Sequence, residues 1–377
     1  MREDTLPHKF LTQVSKLGSR VALREKWFGV WQEITWDEYC RHVRHFCLGL
    51  MELGLERGGH VSILADNEPK WLYADIATQS AGAVAVGVYP TNPSKEAKYV
   101  IAHSESTFVV CGDQEQVDKV LEVKDELPLL KKIIVMDMKG LRHYADPLIM
   151  SFEDVEEIGR KVDEEDPQKF QRTTDLLKAE DVAIMVYTSG TTGPPKGAMI
   201  RHEHILRMAS AMVKVIPQDE NDEIVSYLPL CHVAERMLSV GLPLYTGATV
   251  NFAESVDTVT FAMREILPTF FFAVPRIWEK MMAGIITKMK DASRLKKLTF
   301  RVCMAIGDRM AEARVSEGDI PVFLRIQYAL AHLLLFRHLK KEAGLLRARL
   351  AMCAADPIDP KVLKVHRALG VEVLEGW

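Results

Sequence analysis

The chain lacks paired cysteines. Its six cysteines, scattered over 377 residues with no CxxC pair among them, are Cys40, Cys47, Cys111, Cys231, Cys303 and Cys353. Small disulfide-stabilised scaffolds and zinc ribbons both need closely spaced pairs, so neither class fits. We expect free thiols in a reducing compartment and predict a cytoplasmic protein.

Targeting and membrane-spanning patterns are also missing. The N-terminus, MREDTLPHKF, has no basic stretch followed by an apolar run, and no apolar stretch reaches the eighteen or so residues of a spanning helix. We therefore expect a soluble protein that attaches at most to a membrane surface. The formal net charge is only −4, which gives no reason to predict a nucleic-acid partner.

One cluster of metal-ligand residue types is not predicted to bind metal. Its members are Cys40, His42, His45 and Cys47. They lie in a predicted helix from 35 to 53, with a capping box formed by Thr35 and Glu38 and a stop at Gly54. At about 100° per residue, the cysteines and the histidines point to different faces. Four ligands cannot converge from opposite faces, so we predict two core cysteines, two exposed histidines and no metal site.

Strand-like and helix-like segments alternate along most of the chain. Apolar runs typical of strands lie at 61–65, 83–89, 107–111, 132–136, 248–252 and 269–274, and helical patterns lie at 69–79, 94–103, 115–123 and 256–266. Such short spacing predicts βαβ units. We predict an α/β fold with layered, largely parallel sheets. A charged stretch from 153 to 181 is expected to cross the surface between two subdomains, 1–170 and 171–377.

The segment from Tyr187 to Gly197, YTSGTTGPPKG, predicts phosphate binding. It follows an apolar run and precedes a helical pattern that begins near His202. The residues expected to grip phosphate are Thr188, Ser189, Thr191 and Thr192 through their hydroxyls, Gly190, Gly193 and Gly197 through close backbone approach, and Lys196 through its charge. The helix start is expected to add a positive partial charge. The P-loop of NTPases is excluded, because it needs Gly immediately before the Lys and Ser or Thr after it.

This segment resembles the signature loop of the AMP-forming acyl-adenylating enzymes, which include acyl-CoA synthetases, luciferases and peptide-synthetase adenylation domains. In that family the loop holds the β- and γ-phosphates of ATP while a carboxylate attacks the α-phosphorus, and a thiol then intercepts the acyl-adenylate. The resemblance therefore implies ATP, Mg²⁺, CoA and a carboxylic acid as cofactors and substrates.

Two further motifs resemble the long-chain fatty acid branch of that family. They are LPLCHVAERM at 228–237 and AVPRIWEKM at 273–281. The resemblance implies that His232 positions the acyl carboxylate and donates to it, and that Arg236, Arg276 and Trp278 line the substrate cleft. Judged without the family, His232 is a structural histidine, Trp278 belongs to a core and Arg276 pairs locally.

The adenine-binding run departs from the family pattern. Family members usually carry Ser-Gly-Gly-Ala-Pro where this chain has Cys353, Ala354, Ala355, Asp356 and Pro357. The added Cβ atoms are expected to crowd a site built on close backbone approach. Asp356 either accepts a hydrogen bond from the adenine amino group or spoils the pocket.

The last residues match the start of the family's adenylate motif, an aromatic residue followed by Gly-x-Thr-Glu. Glu375, Gly376 and Trp377 stand at this position. The resemblance places the Mg²⁺-binding Glu after Trp377, so no metal ligand is predicted in this chain. We expect an incomplete sequence of a true ligase, without useful turnover from these 377 residues alone.

Three functions remain open at this point. The first is a long-chain fatty acid–CoA ligase, the second is an acyl-AMP ligase with another acceptor such as a carrier protein's pantetheine thiol, and the third is a non-catalytic nucleotide- or lipid-binding derivative of the same fold. The segment 320–350 is rich in Leu and Ala with basic residues along it. It predicts either peripheral contact with an anionic membrane or two ordinary packed helices, and we favour the packed helices.

Overall fold

The computed structural model describes residues 4–188, 193–316 and 319–376. The strands are β1 (Val21–Trp27), β2 (Val30–Thr35), β3 (His60–Leu64), β4 (Val84–Val88), β5 (Phe108–Cys111), β6 (Lys132–Val135), β7 (Ile149–Ser151), β8 (Val182–Thr188), β9 (Lys196–Arg201), β10 (Glu223–Ser226), β11 (Thr249–Phe252), β12 (Phe270–Ala273), β13 (Leu350–Cys353) and β14 (Val373–Glu375).

The helices are α1 (Leu6–Leu17), α2 (Trp36–Glu52), α3 (Pro69–Ser80), α4 (Ser94–His103), α5 (Gln114–Leu121), α6 (Phe152–Glu165), α7 (Lys169–Asp175), α8 (His202–Val215), α9 (Val233–Arg236), α10 (Leu242–Thr246), α11 (Val259–Ile266), α12 (Pro275–Lys290), α13 (Arg294–Val315), α14 (Val322–Ala331), α15 (Arg337–Glu342) and α16 (Pro360–Ala368).

The chain forms two compact units. Unit 1 comprises Met1–Asn221 and Ser226–Glu254, and unit 2 comprises Asp222–Val225 and Ser255–Trp377. This division differs from the predicted boundary after residue 170, because β8 and β9 complete the main sheet of unit 1. The phosphate segment thus belongs to the same unit as the N-terminal βαβ elements.

The main sheet of unit 1 has the strand order β7-β6-β5-β3-β4-β8-β9. Neighbouring strands are parallel, except that β9 runs antiparallel to β8. Every residue of β4 and β5 is buried. Continuous apolar strands of this kind belong in a sheet covered on both faces. The predicted α/β fold with largely parallel sheets is confirmed. A smaller sheet in unit 1 pairs β1 with β11 in parallel and with β2 in antiparallel orientation.

Helix α2 carries the predicted capping box. The Thr35 hydroxyl accepts a hydrogen bond from the Glu38 N–H at 3.2 Å, and the Glu38 carboxylate accepts one from the Thr35 N–H at 2.8 Å. The two histidines on this helix are half-buried rather than exposed, because they face carboxylates of α6. His42 lies 2.6 Å from Glu156, and His45 lies 3.7 Å from Asp163.

Helix α6 occupies the charged stretch that was expected to cross the surface. It is amphipathic, and its apolar side packs on α2. The two backbones meet at a pair of glycines, since a Cβ on Gly49 would lie 2.1 Å from the Val155 carbonyl oxygen and one on Gly159 would lie 1.7 Å from the His45 carbonyl oxygen. The stretch 153–181 therefore lies within unit 1 rather than between two subdomains.

Unit 2 contains the parallel sheet β12-β13-β14 with helices around it. Residues 320–350 include α14 and α15, separated by a π-helical turn at His332–Phe336. Not all of the basic residues in this segment face solvent. Lys340 is buried, whereas Arg347 and Arg349 are exposed and pair with Glu223 and Asp222. Among the described residues, no helix is both long and apolar enough to span a bilayer.

Candidate active site

The predicted phosphate segment is a β-hairpin. Thr188 at the end of β8 pairs in register with Lys196 at the start of β9, and both side chains are exposed. Gly193 has a φ of +100°, which a residue with a Cβ rarely adopts. Ser189, Gly190, Thr191 and Thr192 lie outside the described residues. The pairing therefore places Thr188 and Lys196 side by side, at the last residue of β8 and the first residue of β9.

The helix after this hairpin does not begin at the loop. Strand β9 separates the two and is six residues long, so α8 starts ~20 Å away at about 3.3 Å per residue. The partial charge at a helix end acts over the first turn only. The predicted contribution of the helix start to phosphate binding was therefore wrong.

Aromatic residues support the hairpin close to Thr188 and Lys196. The Tyr99 hydroxyl donates to the Pro195 carbonyl at 2.9 Å, and the Tyr187 hydroxyl lies 2.8 Å from His103 Nδ1. Burial raises the pKa of Tyr187 to about 12, so this phenol stays protonated at neutral pH. A Cβ on Gly197 would lie 2.8 Å from the Met185 sulfur. These contacts hold the hairpin at Tyr187, Pro195 and Gly197. The sequence predicted phosphate-binding residues in this segment but not the contacts that support it.

His232 lies close to the strand that leads into this hairpin. The preceding residue, Cys231, packs directly on β4, since a Cβ on Gly87 would lie 2.6 Å from the Cys231 Cα. Gly87 pairs in register with Val186 of β8, two residues before Thr188. Neighbouring strands are about 4.8 Å apart. The structure therefore brings the His232 segment and the phosphate hairpin together in unit 1.

The ring of His232 is oriented by the helix that it caps. His232 is exposed, and its Nδ1 accepts a hydrogen bond from the Ala234 N–H at 3.1 Å. In the neutral ring, a nitrogen that accepts carries no proton, so Nε2 holds the proton. This tautomer leaves Nε2–H available as a donor, as the resemblance implied.

Asn67, directly after β3, fixes the segment that leads to His232. Its side-chain amide donates to Ser226 Oγ at 2.9 Å and to the Leu228 carbonyl at 2.6 Å, and its oxygen accepts from the Leu230 N–H at 3.0 Å. Sequence reasoning missed Asn67 completely. It also missed Gly87, although a glycine inside the apolar run AVAVGVYP is a recognised sign of close backbone approach.

The two charged residues that follow His232 are buried inside unit 1. Arg236 donates to Asp75 at 2.5 Å and lies over the Trp71 ring at 4.7 Å from its centroid. Glu235 accepts from Ser226 and from Ser239, and burial raises its pKa to about 7. The sequence did not predict this structural role of Arg236, and its contact with substrate stays a prediction.

A small cavity borders the Arg236 pair. It measures about 20 Å³ and is lined by Asp75, Gln79, Arg236 and apolar residues. Within the described part of the chain, Arg236 Nε and Nη1, Asp75 Oδ2 and the Gln79 amide have no protein hydrogen-bond partner. This region of unit 1 therefore depends strongly on the single contact between Arg236 and Asp75.

In unit 2, three predicted segments follow the carboxyl ends of the three strands. Ala273 pairs with Cys353, and Cys353 pairs with Glu375. The residues just beyond these strand ends include Arg276 and Asp356, both exposed, and Gly376, whose N–H donates to the Cys353 carbonyl at 2.8 Å. Ligands of α/β sheets bind at this edge. Trp377 lies outside the described residues.

Trp278 is a core residue of unit 2. Its side chain is fully buried, its Nε1 donates to the Ala273 carbonyl at 3.2 Å, and its ring contacts Phe271 and His366. A side chain enclosed in this way supports the end of β12. Its predicted contact with substrate stays a prediction.

Ala355 has a backbone conformation that favours glycine, the residue that the resemblance places at this position. Its φ is +83°, which is unfavourable for an L-residue with a Cβ by about 1 kcal/mol. Replacing Ala355 by Gly is expected to raise the free energy of unfolding by up to about 1 kcal/mol, as measured by urea unfolding. The control is Ala354→Gly, because Ala354 has no positive φ. A stabilising Ala354→Gly would contradict the assignment of strain to Ala355.

Comparison with known proteins agrees with this geometry. The family model described as AMP-binding enzyme matches residues 10–377. The chain is 30% identical over 378 residues to the long-chain-fatty-acid–CoA ligase ACSBG2 of Xenopus laevis, covering 98% of this chain and 50% of that protein. It is 29% identical over 377 residues to human ACSBG2, covering 98% and 55%. The chain thus spans about half the length of these relatives.

Solved structures share the fold. A long-chain-fatty-acid–CoA ligase (FadD1) from Archaeoglobus fulgidus superposes with a TM-score of 0.66 at 16% identity, covering 99% of this chain and 63% of that one. The N-terminal domain of FACL13 from Mycobacterium tuberculosis gives a TM-score of 0.64 at 18% identity, covering 99% and 75%. Because the family model matches residues 10–377, which is almost the whole chain, the chain belongs to the AMP-binding enzyme family.

Proposed function

We propose that the chain is the AMP-binding part of a long-chain fatty acid–CoA ligase. Such an enzyme converts ATP, a fatty acid and CoA into acyl-CoA, AMP and pyrophosphate through an acyl-adenylate. The approach of Cys231 to Gly87 carries the proposal, because it sets the His232 segment beside the strand that enters the phosphate hairpin. The relatives named as long-chain-fatty-acid–CoA ligases support the choice of substrate.

Each residue has a distinct part in the proposed adenylation. Lys196 and the Thr188 hydroxyl bind phosphate oxygens of ATP. The Nε2–H of His232 donates to the fatty carboxylate and holds one of its oxygens in line with the α-phosphorus. That oxygen attacks, the bond to the β-phosphate oxygen breaks, and pyrophosphate leaves. The carboxylate is already ionised at neutral pH, so no base is needed.

Mg²⁺ is part of the proposal as a companion of ATP. When bound, the ion offsets negative charge on the phosphates. Within residues 4–188, 193–316 and 319–376, no group of three His, Cys, Asp or Glu side chains could hold a metal. We therefore assign no residue of this chain as a Mg²⁺ ligand and route no step through the ion.

The proposed cellular setting is the cytoplasm, with peripheral attachment to a membrane. The segment 320–350 is the proposed contact. The support is that its helix α14 exposes Val322, Phe323 and Ile326, each by more than half of its side-chain surface. Long-chain fatty acids partition into membranes, so an enzyme held at that surface meets its substrate at high concentration.

A second candidate is a nucleotide- or lipid-binding derivative without catalysis. The observation that favours it is the adenine-binding run, where Ala355 and Asp356 replace a glycine and a small apolar residue and Ala355 has a positive φ. An acyl-AMP ligase with another thiol acceptor differs only in its last step.

Loss of the Lys196 charge is expected to weaken ATP binding by about ten- to a hundredfold, because a charged contact to phosphate contributes about 1.5–3 kcal/mol. The variant is Lys196→Ala, and isothermal titration with ATP measures its dissociation constant. Lys214→Ala is the matched control, since Lys214 is also an exposed lysine of unit 1. Equal affinity of the two variants would remove the role of Lys196 and with it the proposed function.

Pyrophosphate release with palmitate and ATP separates the candidates. From these 377 residues we expect ATP binding without useful turnover. Robust turnover would contradict that expectation and support the ligase directly. Failure to bind ATP would contradict the ligase and a nucleotide-binding derivative, and would leave only a lipid-binding derivative.

A further inference from the structure

Helices α13 and α14 expose a continuous apolar surface in unit 2. We define this α13–α14 face by Leu298, Val302, Phe323, Ile326, Leu330 and Leu334. Each of these side chains is between 52% and 70% exposed. Single exposed apolar residues are ordinary, but soluble proteins rarely leave this many large ones together unless the surface binds something.

The α13–α14 face is concave. A groove of about 320 Å³ runs between the helices and is lined by Leu298, Val302, Leu330 and Leu334, with Cys303 and Ala331 among its other lining residues. Beneath the groove, Cys303, Ala331 and Phe336 belong to one packed cluster. The face is therefore an outer surface of an ordered pair of helices, rather than a core that failed to form.

Basic side chains surround the face. Arg294 and Arg301 on α13 precede Leu298 and Val302 by four residues and by one residue, and both are exposed. Arg337 is exposed at the start of α15. An apolar surface bordered by cationic side chains is complementary to a membrane with anionic headgroups, where the apolar residues enter the acyl region and the charges meet phosphate.

We propose that the α13–α14 face docks on an anionic lipid bilayer and that its groove receives a single acyl chain from it. This deepens the membrane contact proposed above. That contact was assigned to 320–350 alone, whereas the structure points to α13 as an equal part of the surface. The basic border favours lipid over a second copy of the chain, because two copies meeting through this face would bring like charges together.

Vesicle co-sedimentation of the 377-residue protein tests the proposal. Binding is expected to phosphatidylcholine vesicles that contain phosphatidylserine, and it should weaken at high salt. The double variant Val302→Asp/Leu330→Asp is expected to reduce binding by on the order of tenfold or more. Replacing Arg294 and Arg301 by Glu is expected to reduce it by about fivefold or more for each side chain.

Val315→Asp is the matched control. Val315 is on α13 and is 66% exposed, but thirteen residues at about 100° each place it opposite Val302. It should leave vesicle binding unchanged. Equal binding by Val302→Asp/Leu330→Asp and Val315→Asp, or no binding to any vesicle, would overturn the proposal. So would a dimer in solution that Val302→Asp dissociates, because a second copy would then cover the face.

The same variants separate this proposal from the ligase proposal. Val302 and Leu330 are not among the residues assigned to ATP, so Val302→Asp/Leu330→Asp should keep normal ATP affinity while losing vesicle binding. Retained cooperative unfolding of the variants shows that they are folded. Conversely, Lys196→Ala should lose ATP affinity and keep normal vesicle binding.

Discussion

Replacing Arg236 by Ala is expected to lower the free energy of unfolding by about 3–5 kcal/mol. The Arg236 guanidinium is 4% exposed and its partner Asp75 is 1% exposed. Without Arg236, the Asp75 carboxylate stays buried with no opposite charge, which costs far more than the lost contact itself. The Trp71 ring also loses the cation above it. Urea unfolding followed by circular dichroism measures the change.

An exposed arginine of the same unit provides the control. Arg207 pairs with Glu203 at 2.8 Å but is 79% exposed, and Arg207→Ala should cost less than about 0.5 kcal/mol. The double variant Asp75→Leu/Arg236→Met, which leaves no buried charge, is expected to recover much of the stability that Arg236→Ala loses. Equal losses in Arg236→Ala and Arg207→Ala would show that the buried pair contributes no more than a surface pair.

Replacing Gly159 by Ala is expected to destabilise unit 1 by about 3 kcal/mol, at the upper end of the usual range for overpacking. The added Cβ would lie 1.7 Å from the His45 carbonyl oxygen and 2.7 Å from the Gly49 nitrogen. Both are backbone atoms of α2, so no side-chain rotation relieves the contact and the two helices must separate. Thermal unfolding measures the loss.

A second helical glycine makes the comparison specific. A Cβ on Gly284 in α12 would meet no atom within 4 Å, so Gly284→Ala should stabilise by up to about 1 kcal/mol through helix propensity. The same chemical change is thus expected to have opposite signs at the two positions. A neutral Gly159→Ala would mean that α2 and α6 are not as close as the structure has them.

The sequence predicted the inner strands of the main sheet because their signal is local, whereas β1, β2, β7 and β9 were not predicted as strands. Strand β4 is an unbroken apolar run between two helical patterns. Because the strand is buried on both faces, its residues do not alternate between apolar and polar. The start of helix α2 can be recognised in the sequence from its capping-box residues, Thr35 and Glu38, which are three positions apart. The helix α6 was missed because its apolar positions are few among charged ones. Only the close approach of Gly49 and Gly159 explains how it packs, and that is a property of two segments together.

The candidate site was predicted residue by residue but not in its geometry. Lys196 and His232 could be found from motifs, whereas the hairpin form of the loop depends on β9 pairing with β8. Arg236 was assigned to the substrate cleft through the resemblance, and its buried pair with a carboxylate was not predicted. Its partner, Asp75, lies 161 positions earlier in the chain, and no local pattern reveals such a pair.

The three hydrogen bonds of Asn67 reach across about 160 residues to the segment before His232. That turn has local hydrogen bonds, such as the one from the His232 N–H to the Pro229 carbonyl at 2.8 Å. Its attachment to Asn67, however, forms only after distant parts of the chain have closed onto one another. The orientation of His232 should therefore be lost more easily than the fold. A small distortion of β3 or β4 would change the orientation of the His232 imidazole, while spectroscopic measurements would still report a native fold.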